Sequence, residues 1–232
     1  SELKFLDLGC GTGGEILGIL SFVDKFVLNV NAIKLLAIDG NQESLRIFEK
    51  VISYFKAHTR LDINYSIGPA FIENKEDLDT IAEIVSEQYD IILSCKAICE
   101  LLAKKRFEQK PYKSIVAMLA SKLTSDGVLF IEDVTVKSPA TNTFIPIILN
   151  SELNEFVREN KDFTTLFPRS CANNENKCID GCFFKREFIF SHSHKSNDVS
   201  KVVFRFIGKK GILNRLKITD ESKKYDCKIL KK

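Results

Sequence analysis

Three glycines at alternate positions, Gly9, Gly11 and Gly13, follow an acidic residue, Asp7, with Cys10 and Thr12 between them. Glycine reaches backbone angles that other residues avoid and lets a ligand lie against bare main chain. A helix that starts directly after such a turn aims its free N–H groups at electron-rich groups. The chemistry predicted is the binding of a nucleotide or nucleoside. Gly13 comes one residue earlier than the third glycine of the dinucleotide fingerprint G-x-G-x-x-G, a position that Gly14 fills, so that pattern is present with an additional glycine inside it. A second acid, Asp39, closes the next apolar run, Lys34-Leu-Leu-Ala-Ile-Asp39, where a carboxylate can accept hydrogen bonds from two ribose hydroxyls. Gly40 and Asn41 come next and open another helix. A tight turn with no ligand is the plain alternative for a lone glycine-rich stretch. The second strand-end acid, in the right order, weighs against it.

These residues need strands to carry them. Phe5 to Leu8 reads as a buried strand, and Ile16, Leu17, Ile19, Leu20 and Val23 mark the apolar face of a helix over 14–24. Periodicity predicts further helices over 42–56, 75–88, 112–123 and 143–160. It predicts strands over 62–67, 89–94 and 128–134, with a turn at 124–127, and two aromatic-rich strands over 183–191 and 201–207. Alternating strands and helices imply a parallel sheet covered on both faces. In such sheets ligands bind beyond the carboxyl ends of the strands, so Ser94, Cys95 and the residues up to Glu100 should border the site.

Asp7-Leu-Gly-Cys-Gly-Thr-Gly13 resembles the first motif of class I S-adenosylmethionine-dependent methyltransferases. The resemblance implies a Rossmann-like α/β fold: a seven-stranded, mostly parallel sheet with an antiparallel last strand and helices on both faces. Strands 183–191 and 201–207 look like its antiparallel final pair. The resemblance also implies that S-adenosylmethionine is held by Asp7, Gly9, Cys10, Gly11, Gly13, Asp39, Gly40, Ser94 and Cys95. Asp7 would sit near the methionine end, and Ser94 to Lys96 beside the methyl group. After the third strand that family often places an acid or amide against the adenine amino group. Here Gly68, Pro69 and Ala70 stand there, which leaves Phe71 or Ile72 to wall the ring.

No Asn/Asp-Pro-Pro-aromatic motif is present, which argues against methylation of exocyclic base amines by the route that motif supports. Cys95 lacks the Pro-Cys setting of cytosine-C5 chemistry and reads as a small buried thiol. Glu132 and Asp133 read as solvated strand-end carboxylates rather than substrate contacts. No residue reads as a strong general base, so no catalytic residue is assigned.

Seven cysteines and no secretory signal point to a reducing, cytoplasmic setting with free thiols. Cys171, Cys178 and Cys182 crowd into a polar insertion at about 168–184. Thiolates there would bind zinc or an iron–sulfur cluster, with Cys227, His192 or His194 as a fourth ligand; unrelated free cysteines are the competing reading. Tyr89-Asp-Ile-Ile-Leu-Ser94, Ile98-Cys-Glu-Leu101, Leu129-Phe-Ile-Glu132 and the cysteine loop running into Cys182-Phe-Phe are similar, in that order, to methyltransferase-like proteins of the small ribosomal subunit. Some of those carry a four-cysteine iron–sulfur site. That resemblance implies Cys171, Cys178, Cys182 and Cys227 as metal ligands and the ribosome as partner.

At 232 residues the chain suits a single domain, and 44% apolar with 28% charged residues is an ordinary globular composition. No apolar run reaches about 18 residues, so neither a transmembrane helix nor a membrane partner is expected. The net charge of +3 hides an asymmetry: residues 1–182 carry 20 basic against 26 acidic groups, residues 183–232 carry 14 against 5. A basic C-terminal fifth suits RNA, and solvated lysines are the alternative. The first strand begins almost at residue 1, where methyltransferases of this class usually have a preceding region, so the expectation is a fragment lacking one. The function expected is an S-adenosylmethionine-dependent methyltransferase acting on RNA, with ribosomal RNA the candidate by resemblance. The alternatives are a non-catalytic RNA-binding or ribosome-assembly factor that keeps the pocket, and a small-molecule or protein methyltransferase.

Overall fold

The computed structural model describes residues 1–103, 107, 110–169, 185–192 and 194–216. Cys171, Cys178, Cys182 and Cys227, and the last stretch of the basic region, lie outside those residues.

The chain alternates strand and helix through its first half: β1 (Glu2–Leu8), α1 (Gly14–Phe26), β2 (Ala32–Asp39), α2 (Gln42–Ala57), β3 (Asp62–Pro69), α3 (Asp77–Ile84) and β4 (Tyr89–Cys95). It continues with α4 (Ile98–Ala103), α5 (Pro111–Ala120), β5 (Leu123–Val134), α6 (Ile145–Glu159) and β6 (Phe163–Phe167). A hairpin, β7 (Lys185–His192) and β8 (Lys195–Lys209), and a short α7 (Ile212–Arg215) complete the described chain. None of the described helices is long and apolar enough to cross a membrane.

The strands form one sheet in the order β3-β2-β1-β4-β5-β8-β6, with β7 paired to β8 off that path. β1 to β5 are mutually parallel, and β8 runs antiparallel to both β5 and β6. The seven strands on this path make a Rossmann-like α/β sheet, mostly parallel, with the last strand, β8, inserted antiparallel between β5 and β6. β1 lies between β2 and β4, so the chain leaves β1 in one direction and returns on its other side. That reversal opens a crevice above the carboxyl ends of the strands.

Side chains alternate across the sheet, as a pleated strand requires. Phe5, Leu35, Ala37 and Leu93 pack under Ile16, Leu20, Phe48 and Ile52 of α1 and α2. Leu6, Leu8, Ile92, Leu129 and Ile131 face the other way, onto α3, α5 and α6 through Ile81, Tyr112, Ile115, Leu149 and Phe156. Both faces are closed, which is why these strands read as nearly continuous apolar runs.

Several boundaries differ from the periodicity. The helix expected over 75–88 is only Asp77–Ile84, because the Asp77 carboxylate turns back to accept from the N–H groups of Glu73 and Asn74. The turn expected at 124–127 is absorbed into β5, which runs from Leu123. β6 went unforeseen: Phe163-Thr-Thr-Leu-Phe167 is too short to show a period, and it is fixed by pairing with β8. The two aromatic-rich strands do pair antiparallel, but only β8 enters the main path. β7 pairs with the other end of β8, from Val203 outward, on the edge that β6 occupies further along.

Candidate functional site

Gly9, Asp39, Cys95 and Glu132 emerge together at one end of the sheet, since Leu8 pairs with Ile38 and Cys95 with Glu132. A cavity of about 520 Å³ opens there, within the size range of small-molecule and cofactor sites.

The loop after β1 is held by the end of β2. Gly9 and Cys10 both donate their N–H groups to the Ile38 carbonyl, at 2.7 and 3.1 Å, and Gly13 N–H turns back to the Cys10 carbonyl at 2.9 Å. The Asp39 carboxylate completes the join: Oδ2 accepts from Gly11 N–H at 2.8 Å and Oδ1 from Asn41 N–H at 2.7 Å. Asn41 in turn caps α2, its Oδ1 accepting from Glu43 and Ser44 N–H. The loop needs glycine because Gly9, Gly11 and Gly13 have φ of 77°, 51° and 87°, in the left-handed region. A Cβ on Gly9 would come 2.3 Å from the Ala97 Cβ, whereas one on Gly11 would meet nothing within 4 Å. Gly11 therefore presents bare main chain to open space.

Gly9, Cys10, Gly11, Thr12, Asp39, Gly40, Ser94 and Cys95 all border the cavity. Asp7 and Gly13, assigned with them from sequence, do not border it. Gly13 is backed by the Phe48 ring, and Asp7 is 2% exposed beneath the loop. Burial there, reinforced by Glu15 and Asp39, pushes the Asp7 carboxyl up to about 8. A cation held in the cleft nearby would favour the ionised form through space. Phe71 and Ile72 do wall the cavity, and Phe71 packs so closely on Gly40 that a Cβ there would lie 2.3 Å from its ring.

The far wall comes from the end of β4 and from α4, through Ser94, Cys95, Lys96, Ala97, Ile98 and Leu101. Ser94 is 1% exposed, and its Oγ has no hydrogen-bond partner among the described residues. A buried hydroxyl left unpaired on a cavity wall is a place for a ligand to bond. Cys10 and Cys95 are buried and burial raises both thiols, so neither has the character of a nucleophile. Lys96 takes a φ of 57°, and its N–H donates to the Glu132 carbonyl at 2.8 Å.

Asp133 is not the solvated carboxylate that its strand-end position suggests. It is fully buried, with Oδ2 accepting from Tyr112 Oη at 2.7 Å and Cys99 N–H at 2.9 Å, and Oδ1 from Val134 N–H at 2.9 Å. Burial raises its carboxyl and these donors oppose the rise. Asp133 thus anchors the start of α4, and with it the cavity wall. Its neighbour Glu132 is also largely covered, 16% exposed in its side chain. Burial raises its carboxyl, with Lys96 acting against that.

Sequence reasoning missed Glu15, in the first turn of α1, and Glu15 borders the cavity. Its signal was a carboxylate two residues after the last loop glycine at an alternate position. His192 and His194 lie at the tip of the β7–β8 hairpin, where His192 pairs with Lys195. Among the described residues no group of three or more His, Cys, Asp and Glu side chains could hold a metal.

No protein-family profile matches this chain, and no curated protein does. Solved structures do. TehB from Haemophilus influenzae shares 17% identity and a TM-score of 0.48, over 90% of this chain and 58% of its own. This chain therefore spans little more than half the length of that protein. Precorrin-6y C5,15-methyltransferase from Geobacter metallireducens has 14% identity and a TM-score of 0.47, covering 89% and 79%. A putative rRNA-methylase from Clostridium thermocellum has 9% identity and a TM-score of 0.47, covering 89% and 86%. The geometry of the cleft, rather than any of these likenesses, carries the functional reading.

Proposed function

We propose that this chain binds S-adenosylmethionine and transfers its methyl group, with RNA as the acceptor. One observation carries the cofactor reading: Asp39 ties Gly11 to Asn41 at the mouth of a cavity floored by bare glycine main chain. Each Asp39 oxygen accepts one backbone hydrogen bond, which leaves lone pairs for ribose hydroxyls. The main chain from Gly9 to Thr12 would carry the methionine part, and Phe71 and Ile72 would wall the adenine. The unpaired Ser94 Oγ would gain a partner.

When bound, the cofactor supplies a methyl group on a positively charged sulfur. The chain's own task is then to hold the acceptor in line and to exclude water. RNA is favoured by the basic C-terminal fifth and by the β7–β8 hairpin. β5 ends at Val134 opposite Val202, so β8 from Lys195 to Lys201 runs past the sheet at the end where the cleft opens. A projecting two-stranded arm beside a cleft is more use to a macromolecular acceptor than to a small one.

Titration calorimetry with S-adenosylmethionine tests the cofactor reading, and tritium transfer to ribosomal RNA tests the acceptor. Transfer that weakens steeply with added salt is the expected result. Binding without transfer would turn the assignment toward an RNA-binding factor that keeps the pocket. Transfer to a small molecule or protein alone would remove RNA from it.

A further inference from the structure

Among the described residues that border the cavity Lys96 is the one cation, set against the carboxylates of Glu15, Asp39 and Glu100. Its place is dictated by the main chain. A φ of 57° is a conformation side-chain-bearing residues avoid, and the 2.8 Å bond from its N–H to the Glu132 carbonyl holds it there. The ammonium then stands 3.6 Å from Glu15 Oε1 and 3.9 Å from Glu132 Oε1. Both contacts are ion pairs without a direct hydrogen bond, and the Lys96 side chain is 42% exposed, so the charge has two carboxylate neighbours and also reaches solvent. Its influence reaches Cys95 on the cavity wall and Glu132, the strand partner of Cys95, and it acts to lower both.

Building on the methyltransferase reading, we infer that Lys96 sets the cleft's preference between a sulfonium nucleoside and the uncharged thioether left after its methyl is gone. S-adenosylmethionine and S-adenosylhomocysteine share adenine, ribose, ammonium and carboxylate, so contacts to those groups cancel when the two are compared. What differs is one methyl group and the positive charge on sulfur. An ammonium beside the cavity opposes the charged sulfur and leaves the neutral one alone, while Glu15 and Glu132 act in the opposite sense. Lys96 therefore offsets part of the carboxylate field that favours the sulfonium. Such an offset serves turnover, because methyl transfer takes positive charge off the sulfur. A cleft that held the sulfonium too firmly would stabilise the ground state over the transition state.

The test compares affinities for S-adenosylmethionine and S-adenosylhomocysteine by titration calorimetry in the natural protein, Lys96→Asn, Lys96→Arg and Glu15→Gln. Asparagine tolerates the left-handed backbone and removes the charge, and melting curves confirm that each variant is folded. Lys96→Asn is expected to raise the ratio of S-adenosylmethionine to S-adenosylhomocysteine affinity by roughly three- to tenfold, the size of a partly screened charge pair. Lys96→Arg should keep the natural ratio, and Glu15→Gln should lower it. If the natural protein binds both nucleosides and Lys96→Asn changes both affinities equally, the inference is overturned and the cofactor reading stands. If the natural protein binds neither, both fall together.

Discussion

At the ends of β1 and β2 the main chain has already met its needs. Both oxygens of Asp39 and the N–H groups of Gly9, Cys10, Gly11 and Gly13 are paired. At the end of β4, across the same cleft, the buried Ser94 Oγ has no partner among the described residues, and the Lys96 ammonium forms ion pairs with two carboxylates without a direct hydrogen bond to either. The first half is rigid because backbone bonds one strand to the next. The second is held from behind, by Asp133 gripping Cys99 and Tyr112. A site built this way presents a preformed cradle to the part of a ligand that is always the same. The buried hydroxyl left over lies on the side where the proposed methyl transfer would take place.

Gly9 is where the two halves touch, so its replacement should break the comparison most severely. Gly9→Ala adds a Cβ 2.3 Å from Ala97 at a φ of 77°. The left-handed strain and the overlap together should cost about 2–4 kcal/mol of stability. A lowered denaturant midpoint and loss of measurable S-adenosylmethionine binding would register it. Unchanged stability would mean that the halves are less tightly apposed than their contact indicates.

Asp39→Asn attacks the first half alone. An amide has one acceptor oxygen where the carboxylate has two, so either Gly11 or Asn41 N–H loses its partner. A charged hydrogen bond is worth about 1.5–3 kcal/mol, and cofactor affinity should fall roughly ten- to a hundredfold while the fold survives.

Asp7 supplies a pH test of the same half. Its carboxyl, raised to about 8, stays protonated in the folded chain while the unfolded chain releases that proton at about 4. The folded state thus binds more protons between those values. The contribution to stability is complete below about 4 and is lost as pH rises through 8, in an amount on the order of a few kcal/mol. A cationic ligand reverses the sense by favouring the ionised carboxylate, so cofactor affinity should rise between about pH 6 and 8 and then level off. Calorimetry in buffers of different ionisation enthalpy would detect the proton released, and Asp7→Asn should abolish both the release and the slope.

Legibility in the sequence depended on where each constraint lies. The cradle was readable because glycine spacing and a strand-end acid are local requirements, written at fixed distances along the chain. Asp133 was misread because its partners, Cys99 and Tyr112, come from 34 and 21 residues away. Nothing in Phe-Ile-Glu-Asp-Val says which of two adjacent acids is buried. Lys96 gave no signal of its left-handed backbone, since only glycine and asparagine announce that conformation by type. β6 was invisible for a similar reason: five residues acquire their identity as a strand from β8, about 40 residues later.

Ser94→Ala should have the smallest effect and separates the halves most finely. For a hydroxyl already paired within the protein, truncation would cost about 0.5–1.5 kcal/mol. Ser94 Oγ has no such partner among the described residues, and removing an unpaired buried polar atom should leave stability unchanged or raise it slightly. Cofactor affinity should move the other way, falling by roughly three- to tenfold if the hydroxyl bonds the ligand. Equal losses in both would show that Ser94 holds the wall together as Asp133 does. Stability kept while affinity drops would mark the end of β4 as the half left open for the ligand to complete.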